Sequence, residues 1–196
     1  MKILNEISTK PVKGFDKKKA KKEIKALQKE FAVLQNKMYA QGKHSLLIVV
    51  QGMDASGKDG LVKNVFREIP AYGVSVKSFK VPSKEELAHD FLWRVHKATP
   101  KKGMIKVFNR SHYEEVLVVR SLGFVDDEQA KDRFRILNNF EEIVAQNRTT
   151  ILKFYLHTSY DEQENRLKER MTNPEKYWKH NDGDWETRAQ WDKFRV

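Results

Sequence analysis

The chain has 196 residues, 39% of them hydrophobic and 33% charged, with a formal charge of +11 and no cysteine. That size and balance suit one folded domain with a real core and exclude a disordered chain. The absence of cysteine excludes disulfides, thiolate metal sites and a cysteine nucleophile. The longest apolar run, Leu46–Val50, is too short to cross a bilayer, and Met1–Glu6 lacks the apolar stretch of a signal peptide. The expected compartment is therefore the cytoplasm, with no membrane partner. The positive excess favours an anionic partner without choosing which one.

Residues 16–41 read as a helix. Ile24, Leu27, Phe31, Leu34 and Met38 recur at spacings of three and four, which puts one apolar stripe on a lysine-rich rod, and Gly42 ends it. Leu46–Val50 then reads as a strand buried on both faces of a parallel sheet. A glycine-containing turn from Gly52 to Gly60 leads into a helix over Leu61–Glu68, stopped by Pro70. Val74–Phe79 alternates as a second strand. Ser83-Lys84-Glu85-Glu86 is a capping-box pattern whose helix is expected to carry Leu87, Phe91, Leu92 and Val95 inward. Met104–Phe108 is a third strand. Asp126–Asn147 is a long amphipathic helix with Phe134, Leu137, Phe140 and Val144 inward. Thr150–Leu156 is a fourth strand, and Ser159-Tyr160-Asp161-Glu162 a second capping box opening a helix to about Arg170. Asn173–Val196 is polar, aromatic and irregular, and reads as a substrate-covering segment. Strands alternating with helices give an α/β fold with a mostly parallel sheet.

Gly52-Met53-Asp54-Ala55-Ser56-Gly57-Lys58-Asp59 has the G-x-x-x-x-G-K frame of a phosphate-binding loop, with a buried strand before it and a helix after it. Gly52, Ala55, Ser56 and Gly57 supply a backbone able to curl its N–H groups around phosphate oxygens, and the helix N-terminus adds positive potential. Lys58 reaches the transferring phosphate. The usual magnesium-binding Ser/Thr after that lysine is Asp59 here, and Asp54 inside the loop offers a carboxylate in its place, since hard Mg2+ prefers oxygen ligands.

Phe108-Asn109-Arg110-Ser111-His112-Tyr113-Glu114 lies at the C-terminal end of the third strand, the edge where open α/β sheets bind ligands. Asn109 stands where such a strand commonly ends in Asp. Arg110 can grip phosphate as a bidentate fork. His112 reads as a packing residue before a general base, because phosphoryl transfer needs charge neutralisation more than proton abstraction, and Tyr113 also reads as packing. Glu114 is placed to touch the acceptor nucleotide or to hold a metal through water. Arg166 and Arg170, four apart, share a helix face and lead into Lys176 and Lys179. Cations on a closing segment beside such a loop cover the transferred phosphate and exclude water.

Four motifs in order resemble the second family of polyphosphate kinases: Gly52–Gly60, Phe91–Lys97, Phe108–Val118 and Pro174–Lys179. The resemblance covers nearly the whole chain. It implies a P-loop kinase fold related to thymidylate kinases, with an N-terminal helix over 16–41, a core over 45–158 and a lid over about 168–190. It implies Mg2+-dependent transfer between inorganic polyphosphate and a nucleoside mono- or diphosphate, AMP and ADP or their guanine counterparts. Asp54 and Lys58 then take the phosphate-loop roles, Asn109 and Arg110 the Walker B positions, and Arg170, Lys176 and Lys179 the lid. Asn109 and Glu114 resemble the branch that accepts AMP as well as ADP. Family members continue into a further strand with an Ala-Pro-Trp motif and terminal helices, so an open sheet edge and homo-oligomerisation are expected here. Three other functions compete: an ATP-dependent nucleoside monophosphate kinase, an inactive polyphosphate-binding fragment and a nucleic-acid-binding module. The scattered basic residues, with no reading helix or aromatic platform, speak against the last, so no nucleic-acid partner is expected.

Overall fold

The computed structural model describes residues 4–121 and 126–194; Met1–Ile3 of the N-terminal stretch and the last two residues of the C-terminal stretch lie outside them. Four strands, β1 (Ser45–Gln51), β2 (Val74–Lys77), β3 (Ile105–Asn109) and β4 (Thr149–Tyr155), form one sheet in the order β2-β3-β1-β4. All pairings are parallel, with Ile48 opposite Val107 on one side and Leu152 on the other. The sheet is flanked by α1 (Lys17–Gln41), α2 (Lys58–Val65), α3 (Lys84–Leu87), α4 (Trp93–His96), α5 (Glu114–Ser121), α6 (Asp127–Gln146), α7 (Tyr160–Thr172) and α8 (Gly183–Ala189). No helix of the described residues is long and apolar enough to cross a membrane.

The unbroken apolar run of β1 follows from its central place. Successive side chains of a strand point to opposite faces. Leu47 and Val49 enter one core with Phe108, Val95, Leu137 and Phe140, while Ile48 and Val50 enter the other with Val107, Phe66 and Ile69. Two cores sharing one strand fix its height relative to α2 on one side and α6 on the other.

Local signals explain most boundaries. The Asp16 carboxylate accepts the N–H groups of Lys18 and Lys19 at the start of α1, and Gly42, left-handed at φ 58°, returns its N–H to Met38 O at the end. Ser83 forms a complete capping box with Glu86. At Ser159 the hydroxyl takes the Glu162 N–H, but the Glu162 carboxylate turns to Arg166 at 2.7 Å and leaves the expected box half made.

Several expectations are corrected. The helix after the loop begins at Lys58, not Leu61, because Gly57 in a left-handed conformation already starts it. β2 ends at Lys77, and Phe79 is buried just beyond it. The helix from Ser83 lasts one turn; Asp90 then accepts the Leu92 N–H and opens the separate turn α4. That break leaves Leu87 69% exposed while Leu92 and Val95 are buried. On α1 only Phe31 and Met38 of the apolar stripe pack on the core; Ile24, Leu27 and Leu34 are 47%, 54% and 61% exposed. The polar C-terminal stretch is ordered into a 3-10 turn at Pro174–Lys179, α8, and a second turn at Trp191–Phe194, with Trp191 buried against the edge of Tyr160.

Gly73, just before β2, lies against the Gln35 side chain, which is 1% exposed and whose amide has no hydrogen-bond partner among the described residues. A Cβ at Gly73 would fall inside that amide. Gly73→Ala is expected to cost about 1–3 kcal/mol by overpacking, and adding Gln35→Ala should recover most of it. Urea unfolding of the single and double variants measures both.

Candidate active site

The site lies at the C-terminal ends of β1 and β3, where the loop between β1 and α2 curls back over the sheet. Gly52 has φ 155°, and a Cβ there would sit 2.7 Å from Ser56 Oγ and 3.0 Å from Leu156 O. Only glycine permits that approach. Ala55 is left-handed at φ 59° without being glycine, a strained conformation of the kind that collects at functional sites. Ser56 Oγ is buried and unpartnered among the described residues.

Lys58, the first residue of α2, is 9% exposed. Its ammonium donates to Gly52 O at 2.7 Å and to Met53 O at 3.0 Å. Burial holds its pKa below the ordinary lysine value, against the pull of Asp54. Asp54 is bonded to Arg110 at 2.8 Å. Arg110 leaves β3 in a left-handed conformation, φ 66°, which aims its side chain back across the loop. The Asp59 carboxylate accepts from Asn109 Nδ2 at 2.9 Å and from Lys179 Nζ at 3.0 Å. Burial acts to raise that carboxyl, but these two donors outweigh it and leave it below the usual range. Glu114, at the start of α5, accepts from Gln51 at 3.1 Å, and burial raises its pKa.

The C-terminal elements close on the loop from the other side. Arg166 donates to the carbonyls of Ala55 and Ser56 at 3.1 and 2.8 Å, so it grips the loop's backbone rather than open space. Arg170 pairs with Asp184 of α8 and donates to Lys179 O at 3.2 Å. Lys176 stands apart: its ammonium pairs at 2.5 Å with Glu169 of α7. Asp54, Lys58, Asp59, Asn109, Arg110, Arg166, Arg170 and Lys179 thus meet around the loop, with Glu114 beside them and Lys176 on the outer side.

Three residues in this shell were not singled out from the sequence. Asp184 is 7% exposed; burial first, then the charge of Asp54, raises its carboxyl pKa, which places the two carboxylates in one field. Gln163, fully buried, donates to Asp54 O at 2.9 Å, and Arg188 reaches Gln163 at 3.2 Å, Tyr160 O at 2.7 Å and Glu164 at 2.6 Å. Asp-Gly-Asp in an otherwise polar stretch was the only sequence signal for Asp184. The glutamine carried none.

Beside the loop is a cavity of about 540 Å3, lined by Gly52, Asp54 and Lys58 of the loop region and by Phe79, Val81, Pro82 and Tyr113. Arg94 also lines it; this arginine is 8% exposed and held by Glu115, Glu86 and the carbonyl of Lys80. Among the described residues no group of three or more His, Cys, Asp or Glu is arranged to hold a metal ion by itself. The loop carboxylate Asp54 nevertheless suits Mg2+, which takes one or two carboxylates and fills its octahedron with phosphate oxygens and water.

The sequence matches the Polyphosphate kinase 2 family over residues 14–196. The chain belongs to the polyphosphate kinase 2 family. It is 48% identical over 179 residues to the AMP/ADP-polyphosphate phosphotransferase of Meiothermus ruber, covering 91% of this chain and 67% of that protein. It is 43% identical to the ADP-polyphosphate phosphotransferase of Rhodopseudomonas palustris, covering 82% of this chain and 60% of that one. The crystal structure of Polyphosphate Kinase 2 from Arthrobacter aurescens TC1 superposes with a TM-score of 0.92 at 38% identity, over 98% of this chain and 70% of that one. This polyphosphate kinase 2 chain therefore spans about two thirds or less of those curated relatives, and its fold is the P-loop kinase fold with a four-stranded parallel sheet.

His112 belongs to this family chain's packing rather than to its cavity. It is fully buried between Phe108 and Phe140, and Nε2–H donates to Glu141 at 3.1 Å. Glu141 also accepts from Tyr113 at 2.8 Å and Lys153 at 2.6 Å. Burial opposes the ionised form, yet the donors of His112, Lys153 and Tyr113 prevail and bring its pKa down to about 2. A depressed carboxylate contributes its full stability above the unfolded value of about 4.5 and loses it as the pH falls towards 2. Glu141→Gln is expected to destabilise by on the order of 2 kcal/mol at neutral pH. The gap to the parent should narrow steadily below about pH 4.5 in denaturant titrations across the acid range.

Proposed function

We propose that this chain transfers a phosphoryl group between inorganic polyphosphate and AMP or ADP. The observation that carries the reading is the meeting of Lys58, Arg110, Arg170 and Lys179, drawn from four separate elements, over one phosphate loop beside a cavity with apolar walls. Such a cation cluster suits a substrate with a negative charge on every unit. Apolar walls suit a nucleobase. The names of the two relatives above support the same substrates, and Asn109 with Glu114 supports the branch that takes AMP as well as ADP.

In this reading the end of the polymer lies on the N–H groups of residues 52–57 and the nucleoside enters the cavity. An oxygen of the nucleotide's terminal phosphate attacks the end phosphorus of the polymer. The bridging P–O bond breaks, and its electron pair leaves with the shortened chain. Lys58 exchanges the carbonyls of Gly52 and Met53 for phosphate oxygens, so its interaction strengthens as charge develops on the moving group. Arg110 and Arg170 neutralise the flanking oxygens, and residues 168–190 act as a lid that excludes water. Lys176 joins them on closure by leaving Glu169. Asp54 would hold Mg2+, which would add charge neutralisation at the transferring phosphate.

AMP or ADP supplied with long-chain polyphosphate and Mg2+, ATP absent, should yield ADP and ATP. Turnover with ATP as the only competent donor would overturn the reading. Lys58→Met is expected to lower turnover by about a hundredfold or more. It should melt at the same temperature or higher at neutral pH, because the parent buries an ammonium there at a cost. Since burial lowers the Lys58 pKa, that cost is present at neutral pH and fades as the pH rises towards the unfolded value near 10.5.

The same reading includes self-association. β4 pairs with β1 alone among the described strands, and Leu152 and Phe154 stand 42% and 48% exposed on it. Exposed apolar surface along a strand margin drives association. Sedimentation should show a dimer or larger, and Leu152→Lys with Phe154→Lys should shift it to the monomer.

A further inference from the structure

The N-terminal half of α1 carries seven lysines, at positions 17, 18, 19, 21, 22, 25 and 29, against one glutamate, Glu23. Every residue from Lys21 to Leu27 is exposed, and even the apolar Ile24 and Leu27 are about half open. These two turns pack only lightly on the body of the protein, through a shallow groove that Ile24 and Leu27 share with Val65. Their anchor lies further along the helix, where Gln28 donates to Asn64 O at 2.5 Å and Phe31 packs on Phe66. Among the described residues none of the seven lysines is paired with a carboxylate. This contrasts with the site, where Arg110, Arg170, Lys176 and Lys179 each have an acidic partner.

The end turns of a helix that little else packs on are the first to fray, and crowding like charges on them costs more. A polyanion laid along it removes that repulsion. Lys18, Lys22, Lys25 and Lys29 follow spacings of four, three and four, which places them on one face in a row about 16 Å long. Ile24 and Leu27 lie on the opposite face. The row is a linear charge array, suited to a linear, evenly charged polymer and not to a single phosphate.

We propose that this lysine row is a second polyphosphate-binding site, a tether that holds the polymer away from the point of transfer. The proposal rests on the polyphosphate reading of the phosphate loop and adds a binding site that the loop does not contain. Two other polyanions fit less well. The segment 17–30 has no aromatic residue on which nucleic-acid bases could stack, and no Trp or Phe to anchor an apolar face in a bilayer. Holding the chain at a distance raises its local concentration at the loop. The gain therefore grows with chain length and vanishes for a polymer too short to span both sites.

The test replaces Lys18, Lys22, Lys25 and Lys29 together by glutamine, none of which belongs to the phosphate-loop machinery. With long-chain polyphosphate the KM should rise about tenfold or more, with kcat unchanged. The salt dependence of long-chain binding should flatten by about three in log–log slope, as four contacts are lost. With tetrapolyphosphate both constants should stay at the parent values. Equal losses on long and short donors, or no change on either, would overturn the tether. So would an unaltered long-chain KM in a row that binds single-stranded RNA or anionic vesicles as tightly as polyphosphate. Direct binding of long-chain polyphosphate to parent and variant, without nucleotide, separates the two readings. A parent that binds the polymer through the row yet transfers nothing retains the tether and removes the transferase, whereas normal transfer with binding indifferent to the four lysines does the reverse.

Discussion

The constraint on which this structure turns is the gathering of like charge over a single loop. Lys58, Arg110, Arg170 and Lys179 converge there, and each finds an anion or carbonyl partner inside the protein. Lys58 takes two main-chain carbonyls, Arg110 takes Asp54, Arg170 takes Asp184 and Lys179 takes Asp59. Cations held so closely would otherwise repel, and the buried lysine would be held at a heavy desolvation cost. Asp54, Asp59 and Asp184 are therefore counter-charges to this cluster, which explains why so basic a loop is ringed with acids.

The rest of the fold keeps that arrangement rigid. β1 divides its side chains between two cores, so the loop at its end cannot shift without disturbing both. From the other side, Arg188 is held by Tyr160 O and Glu164, bonds to Gln163, and through it reaches Asp54 O. Arg166 adds two more bonds to the loop carbonyls. The loop is thus clamped between a sheet and two helices, which lets Ala55 and Arg110 persist in left-handed conformations that cost free energy.

What could be read from the sequence follows the range of the forces involved. The strands, the long helices, the cap at Ser83 and the phosphate loop were legible because each is set by a local pattern. The break between α3 and α4 was not, since the Asp90 side chain competes for the Leu92 N–H and wins over a helix whose apolar spacing was adequate. Three of the five apolar residues of the α1 stripe stay exposed, because periodicity reports amphipathic character and not what lies opposite. At the site, residue types with one dominant chemistry, such as Lys58 and Arg110, announced themselves. Asp184 and Gln163 matter through partners distant in sequence, 14 residues away for the Arg170–Asp184 pair and 109 for the Gln163–Asp54 bond. Arg166 was placed on the correct helix, yet its carbonyl partners could be known only from the folded loop.

On the proposed polyphosphate reading, the internal pairing of these cations bears on how a polymer is told from the free phosphate that surrounds it in solution. An orthophosphate ion arriving at Lys58 would displace two carbonyl contacts and gain little, because one exchange of partners nearly cancels the other. A chain replaces several internal pairings in a single event and gives up its translational freedom once. Under that reading the internal pairings select against small anions, because only a ligand that exchanges many partners together makes the trade favourable.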